Sequence, residues 1–275
     1  MALDPRRHAY RPDCADIALK GQVVAKRFVA GRKMQIKAPV ADLFPTAKTG
    51  AITSQLLYGE VVSVFDQAGD LAWVQNARDG YVGHVRKSDL GPVHASDLMI
   101  IAPMAQIYAA PDFKSPVVAT LPLLAQLCER SRAGAFIETE LGFVHRRHVN
   151  AIVGDAVSFA EMFIGSPYRW GGRSYGGLDC SGLVQLALMA AGHDCPRDSD
   201  MQEKEIGTVL PDIAPLQRGD LLFWRGHVGI MVDQNTLLHA NAFHMGTVTE
   251  PVTPAIKRIE AQGDGPVTAR KRPGA

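Results

Sequence analysis

Cys180, His227 and His239 are the residues of this chain whose types and spacing could supply a nucleophile, a base and a group that orients the base. Cys180 stands in "YGGLDCSGLVQLALMAAG", residues 175–192. After Gly182 the apolar residues Leu183, Val184, Leu186, Ala187, Ala190 and Ala191 recur at helical spacing, and Gly192 ends the run. The cysteine therefore falls in the first turn of a helix, ahead of the apolar stripe. Unpaired N–H groups and the helix dipole favour an anion there, which predicts a thiol that ionises readily. A small hydrophobe at a helix start is the alternative that Cys180 alone leaves open.

His227 follows the turn Arg225-Gly226 and opens "HVGIMV". In a strand, His227, Gly229 and Met231 alternate with Val228, Ile230 and Val232, so the β-branched set should face the core. The two glycines beside His227 leave room for a helix end or a ligand. His239 lies in the next run, "TLLHAN", beyond the turn residues Asp233-Gln234-Asn235. A three-residue turn pairs positions whose numbers sum to about 468, which puts His239 opposite Gly229 and both imidazoles on one face. A two-residue turn would place them on opposite faces. Asp179 runs against this chemistry, because a carboxylate raises the pKa of an adjacent thiol. It caps the helix, or it binds a cationic group of a substrate.

The elements that carry these residues occupy the last part of a 275-residue chain, long enough for two or three domains. The chain is 47% apolar and 21% charged with a net charge of +1, which gives no reason to expect nucleic acid or an anionic membrane as partner. No window approaches the apolar length of a bilayer span, and the start, "MALDPRRHAYRPD", has no apolar stretch of the signal-peptide kind. Four scattered cysteines do not resemble a disulfide framework, so a reducing, cytoplasmic location is expected. Cys180, His193 and Cys195 share one region, but their spacing is not that of a zinc site. No metal or other cofactor is expected.

Two segments echo each other at a shift of 64 residues, "KAPVADLFPTA" from Lys37 and "IAPMAQIYAAP" from Ile101. A β-branched run follows each, "EVVSVF" and "SPVVATL", and each segment closes on Gly83-His84-Val85 or Gly142-Phe143-Val144. Short strands separated by Gly, Asp and Pro argue for small antiparallel barrels. From about Ala151 the pattern changes to helices ("DAVSFAEMFIGSPY", then the Cys180 helix), a polar stretch with Ser199 and Asp200, and the strands "DLLFW", "HVGIMV" and "TLLHAN". The expected fold class is α+β, with an N-terminal extension (1–30), two β-modules (31–92 and 93–150) and a helix-and-sheet domain (151–275). The Gly/Pro-rich basic tail from Ala261 is expected to fray.

The motifs "PYRWGGRSYGGLDCSGLVQ", "QRGDLLFWRGHVGIMV" and "LLHAN" resemble, in this order, the signatures of the NlpC-type cysteine peptidases, a papain-like family that cuts bacterial cell-wall peptides. The two β-modules resemble the bacterial SH3-like domains of the γ-D-glutamyl-L-diamino-acid peptidases in that family. His84 departs from the SH3-like pattern, which usually has tryptophan there. The resemblance implies hydrolysis of the γ-D-glutamyl-L-diamino-acid bond by Cys180 as nucleophile, His227 as base and His239 as its orienting partner. It implies that Tyr168 lies near the reacting carbonyl and that Trp170, Asp179, Ser181 and Ser199 belong to the substrate-binding set. The implied partner is a murein peptide, L-Ala-γ-D-Glu-meso-diaminopimelate or its lysine counterpart, met during recycling of wall fragments. Two alternatives stand beside it: a non-catalytic wall-binding protein, and an amidase or acyltransferase on the same scaffold. Glu60, after the Tyr58-Gly59 turn, and Tyr81 in "DGYVG" are expected to help Asp179 hold the free amino group of L-Ala.

Overall fold

The alternation in "VVSVFDQAGDLAWVQN" calls for a hairpin, and the computed structural model places strands at Val61–Ala68 and Leu71–Asn76. The structure describes residues 3–149 and 154–274, so the module boundary expected at 150/151 lies outside the described residues. The chain divides into two compact units, Met1–Ala151 and Ile152–Ala275.

In the first unit, two β-modules repeat one plan. Val40–Leu43 pairs with Ser54–Leu57 in the first module, and Met104–Tyr108 pairs with Val117–Pro122 in the second. The structural counterpart of "SPVVATL" is thus Ser54–Leu57, and "EVVSVF" is the next strand along, a correction to the simple echo. The closing triplets do correspond: Phe44 bridges His84, and Tyr108 pairs with Phe143. His84 takes part in the packing of the first module. It is buried opposite Trp73, and Arg11 reaches both its ring and the face of that tryptophan, 4.3 Å from the ring centroid. The N-terminal stretch is part of this module, since Ala9 and Cys14 pack against Phe65 and Trp73.

The second unit is α+β. Helix α1 (Ala156–Glu161) starts at Asp155, whose carboxylate accepts from the Ser158 N–H at 2.7 Å. Helix α2 (Cys180–Ala190) is buried around its whole circumference, Gln185 included, and ends at Gly192 with φ +91°. The polar stretch after it is helical, α3 (Ser199–Glu205). Its Gln202 is fully buried and donates to the carbonyls of Ser181 and Pro196, 2.9 Å each, which ties α3 to the start of α2.

The sheet contains β1 (Thr208–Val209), β2 (Leu221–Trp224), β3 (His227–Met231), β4 (Thr236–Asn241), β5 (Gly246–Pro251) and β6 (Ala269–Arg272). All neighbours are antiparallel in the order β1-β6-β2-β3-β4-β5. The tail expected to fray is therefore strand β6. Arg272 holds it by donating to both oxygens of the fully buried Asp220, at 2.7 and 2.9 Å, and the basic composition that suggested disorder is what pairs it. Amphipathic α4 (Val252–Ile259) lays Val252, Ala255 and Ile259 on Leu222, Trp224, Met231 and Leu237. Each large side chain buried there contributes about 1.5–3 kcal/mol before chain entropy is subtracted. Helix α2 packs against β3 and β4, so the sheet is covered on both faces. Met231 is accordingly as buried as Val228 and Ile230, although the alternation assigned only the latter to the core.

Candidate active site

The β3–β4 connection is the turn Asp233-Gln234-Asn235, and Asp233 Oδ1 closes it by accepting from the N–H groups of Asn235 (2.7 Å) and Thr236 (2.9 Å). The pairs Ile230↔Leu238 and Met231↔Leu237 sum to 468, the register expected for a three-residue turn. The consequence is the one the alternation requires: His227 Nε2 and His239 Nδ1 lie 2.8 Å apart. Gly229 permits this approach, since a Cβ on it would sit 2.7 Å from Leu237 Cδ1 and 3.2 Å from His239 Cβ.

Cys180 is the first residue of α2. Its sulfur lies 3.9 Å from the Gly226 carbonyl oxygen, and the N–H groups of Val228 and Ser181 are directed at it. Cys180, His227, His239 and Tyr168 line one cavity of about 380 Å³, together with Asn241 and Phe243. His193 sits at the far end of this helix, where its N–H donates to the Leu188 carbonyl, and Cys195 lies beside mid-helix, its carbonyl accepting from Gln185 at 3.2 Å; among the described residues the two do not gather with Cys180 into a metal site. Among the described residues, His239, His244 and Glu250 bring metal-ligand atoms within 4.8 Å of one another. There Glu250 is already bound by His239 and by Arg258.

Asp179 is the N-cap of α2. Its Oδ1 accepts from the N–H of Gly182 at 2.7 Å, and Gly182 lets the turn close because a Cβ there would meet the Gly172 carbonyl oxygen at 2.3 Å. A partner that the sequence did not reveal completes the picture. Arg197 is 1% exposed and donates to both oxygens of Asp179, at 2.9 and 2.7 Å, as well as to Ser181 Oγ at 2.9 Å. Gly171 N–H supplies a further bond to Oδ2 at 2.8 Å. Of the two roles open to Asp179, capping is present, and the carboxylate sits in a bidentate buried ion pair.

Burial works against the helix-start effect on the thiol. Burial pushes the Cys180 thiol up to about 12, the charge of Asp179 adds to this, and the Val228 and Ser181 amides and Arg197 oppose it only in part. Burial likewise pulls His227 down to about 3, with His239 and Arg258 acting in the same direction. Both shifts favour the neutral thiol and the neutral imidazole over thiolate and imidazolium. Alkylation of Cys180 in the free protein should consequently rise about tenfold per pH unit from roughly pH 5 to 9, following the growing thiolate fraction. Rates of iodoacetamide incorporation measured across that range would reveal an ion pair instead if they formed a plateau near pH 6.

The other expected site residues are placed as follows. Tyr168 is half-buried on the cavity wall, and burial, Cys180 and Asp179 all raise its pKa, so its hydroxyl keeps its proton. Ser181 is buried beside Arg197, and Ser199 opens α3. Trp170 is 66% exposed and is not among the residues lining the cavity. In the first unit, Glu60 neither projects from its turn nor lies at a solvated strand edge. It is 1% exposed, because the Tyr58-Gly59 turn folds it back to accept from Leu57 N–H at 3.0 Å and Asn76 Nδ2 at 3.4 Å. Tyr81 is buried as well, after the Asp79-Gly80 turn.

Residues 165–258 match the model of the NlpC/P60 family, and residues 43–90 match that of the bacterial dipeptidyl-peptidase SH3 domain. The chain is 30% identical over 235 residues to the γ-D-glutamyl-L-lysine dipeptidyl-peptidase of Bacillus subtilis, covering 73% of this chain and 77% of that protein. It is 39% identical over 99 residues to dipeptidyl-peptidase 6 of Lysinibacillus sphaericus, 35% of either chain. The crystal structure of an NlpC/P60 family protein from Bacillus cereus superposes with a TM-score of 0.74 at 19% identity, covering 88% of this chain and 99% of that one, which shows a common fold. With a cysteine at a helix start and two histidines in register beside it, the chain belongs to the NlpC/P60 family of cysteine peptidases.

Proposed function

We propose that this peptidase hydrolyses the γ-D-glutamyl-L-diamino-acid bond of cell-wall peptides whose N-terminal L-Ala is free, with Cys180, His227 and His239 as its catalytic set. The observation that carries the reading is the 2.8 Å contact of His227 and His239 in the cavity that holds Cys180. His227 takes the thiol proton as the sulfur attacks the γ-carbonyl of D-glutamate, which accommodates a thiol that is neutral at rest. The N–H of Cys180 lies in the first turn of α2, where it has no carbonyl partner within the helix, and with the protonated Tyr168 hydroxyl it stabilises the oxyanion. The imidazolium then protonates the departing amine, and water, deprotonated by His227, releases L-Ala-D-Glu from the sulfur.

Preference for a free amino terminus is supported by the names of the similar enzymes, which are dipeptidyl-peptidases and so count their bond from the chain start. Such an enzyme acts on trimmed fragments rather than on stems joined to the wall, and we place it in cytoplasmic recycling of murein peptides. The test compares L-Ala-γ-D-Glu-meso-diaminopimelate with its N-acetylated form. A hydrogen bond to a charged group contributes roughly 1.5–3 kcal/mol, so capping should lower kcat/KM by about 10- to 100-fold or more. Equal kcat/KM values for both peptides would remove the free-amine requirement and, with it, the recycling role.

A further inference from the structure

His239 is held on its far side as firmly as on its near side. Its Nε2 lies 2.7 Å from Glu250 Oε1 in β5. Strand pairing explains the meeting. Leu237 is opposite Glu250 and His239 is two residues further along β4, so the carboxylate and the imidazole are diagonal neighbours on one face. Glu250 in turn forms an ion pair with Arg258 of α4, whose guanidinium lies 4.4 Å from the Phe243 ring centroid and donates to Gln262 Oε1 at 3.0 Å.

An ionised carboxylate only accepts hydrogen bonds, so a carboxylate at Nε2 requires the proton of neutral His239 to be there. Glu250 is kept ionised, its pKa lowered first by the bond from His239 and then by Arg258. With its proton on Nε2, His239 offers only a lone pair at Nδ1. His227 must therefore donate from Nε2 across the 2.8 Å contact, which leaves His227 Nδ1 as the unprotonated nitrogen. Were His239 protonated at Nδ1 instead, it would donate to His227 Nε2, and the His227 proton would sit on Nδ1, where a base must be empty. The geometry points to Glu250, clamped by Arg258, as a positioning residue that selects the reactive tautomer of His227 through His239. The inference rests on the cysteine-peptidase reading of this site, and it adds to the three residues a fourth that touches neither substrate nor sulfur.

The test combines nuclear magnetic resonance of the full chain, carrying isotope-labelled histidine, with kinetics of Glu250→Gln. In the wild type at neutral pH, both His239 and His227 should carry their proton on Nε2. Glutamine can donate as well as accept at this place, so in Glu250→Gln the single tautomer should be lost. The expected effect is a fall in kcat of about 10- to 100-fold with KM within about twofold, at an unfolding temperature that shows the variant folded. Undiminished kcat in the folded variant, or a proton on Nδ1 of His239 in the wild type, would overturn the proposal. Should the variant not fold, the wild-type tautomer decides by itself. A wild type that cuts no γ-glutamyl peptide would remove the substrate reading and leave the tautomer result standing, so the two failures are distinct.

Discussion

Cys180→Ala is expected to lower hydrolysis of L-Ala-γ-D-Glu-meso-diaminopimelate by at least about 10⁴-fold, with the protein still folded. The loss is this large because no other group in the cavity can form the acyl intermediate. The other polar side chains that line the cavity are two imidazoles, a tyrosine that keeps its proton, Asn241, Arg258, Gln262 and Asp264, and none of them is a thiol or an aliphatic hydroxyl. Ser181, the adjacent hydroxyl, is buried and held between Asp179 and Arg197. His227→Ala should cost nearly as much, and adding it to Cys180→Ala should cost nothing further, because the members act as a unit. Initial rates of the two single variants and the double variant check this, and additive losses would mean that His227 serves a separate step.

Arg197→Met should produce the largest loss of stability of any single change near the site. The Arg197 and Asp179 side chains are 1% and 8% exposed, so methionine leaves a carboxylate buried against the start of α2 with its main partner gone. Breaking a buried pair from one side costs about 3–5 kcal/mol. Arg197 also opposes the rise in the pKa of Cys180, so activity should fall beyond what unfolding removes. Double replacement with Asp179→Asn should recover part of the stability, since the orphan charge is then absent. Denaturant unfolding of the three variants measures these terms. A single variant within about 1 kcal/mol of the wild type would show that water reaches Asp179 and carries its charge.

What was legible in the residues follows from periodicity. Strands alternate strictly, so the numbers 227, 229 and 239 and one turn length were enough to bring two imidazoles onto one face. The same arithmetic reaches Glu250: the four-residue connection Ala242–Met245 pairs Asn241 with Gly246, and Glu250 then falls on the face of His239. Arg197 was not legible in this way, because its contact with Asp179 spans 18 residues with no period linking them. Strand β6 was hidden by composition, since its charges find partners only when Asp220 lies beneath them. The upward push on the thiol was not legible, because the helix dipole can be read from sequence and desolvation cannot. Glu60 was misread for a related reason: a turn shows where the backbone reverses, not whether the side chain following it points outward.

The proposed function requires that Cys180 form a thioester with the γ-carbonyl of D-glutamate. The most direct measurement is intact-protein and peptide mass spectrometry of the wild type, acid-quenched during turnover of L-Ala-γ-D-Glu-meso-diaminopimelate. The expected result is an added L-Ala-γ-D-Glu acyl group that maps to the peptide bearing Cys180 and disappears in Cys180→Ala. An adduct on any other residue, or release of diaminopimelate by the Cys180→Ala protein at the wild-type rate, would contradict it.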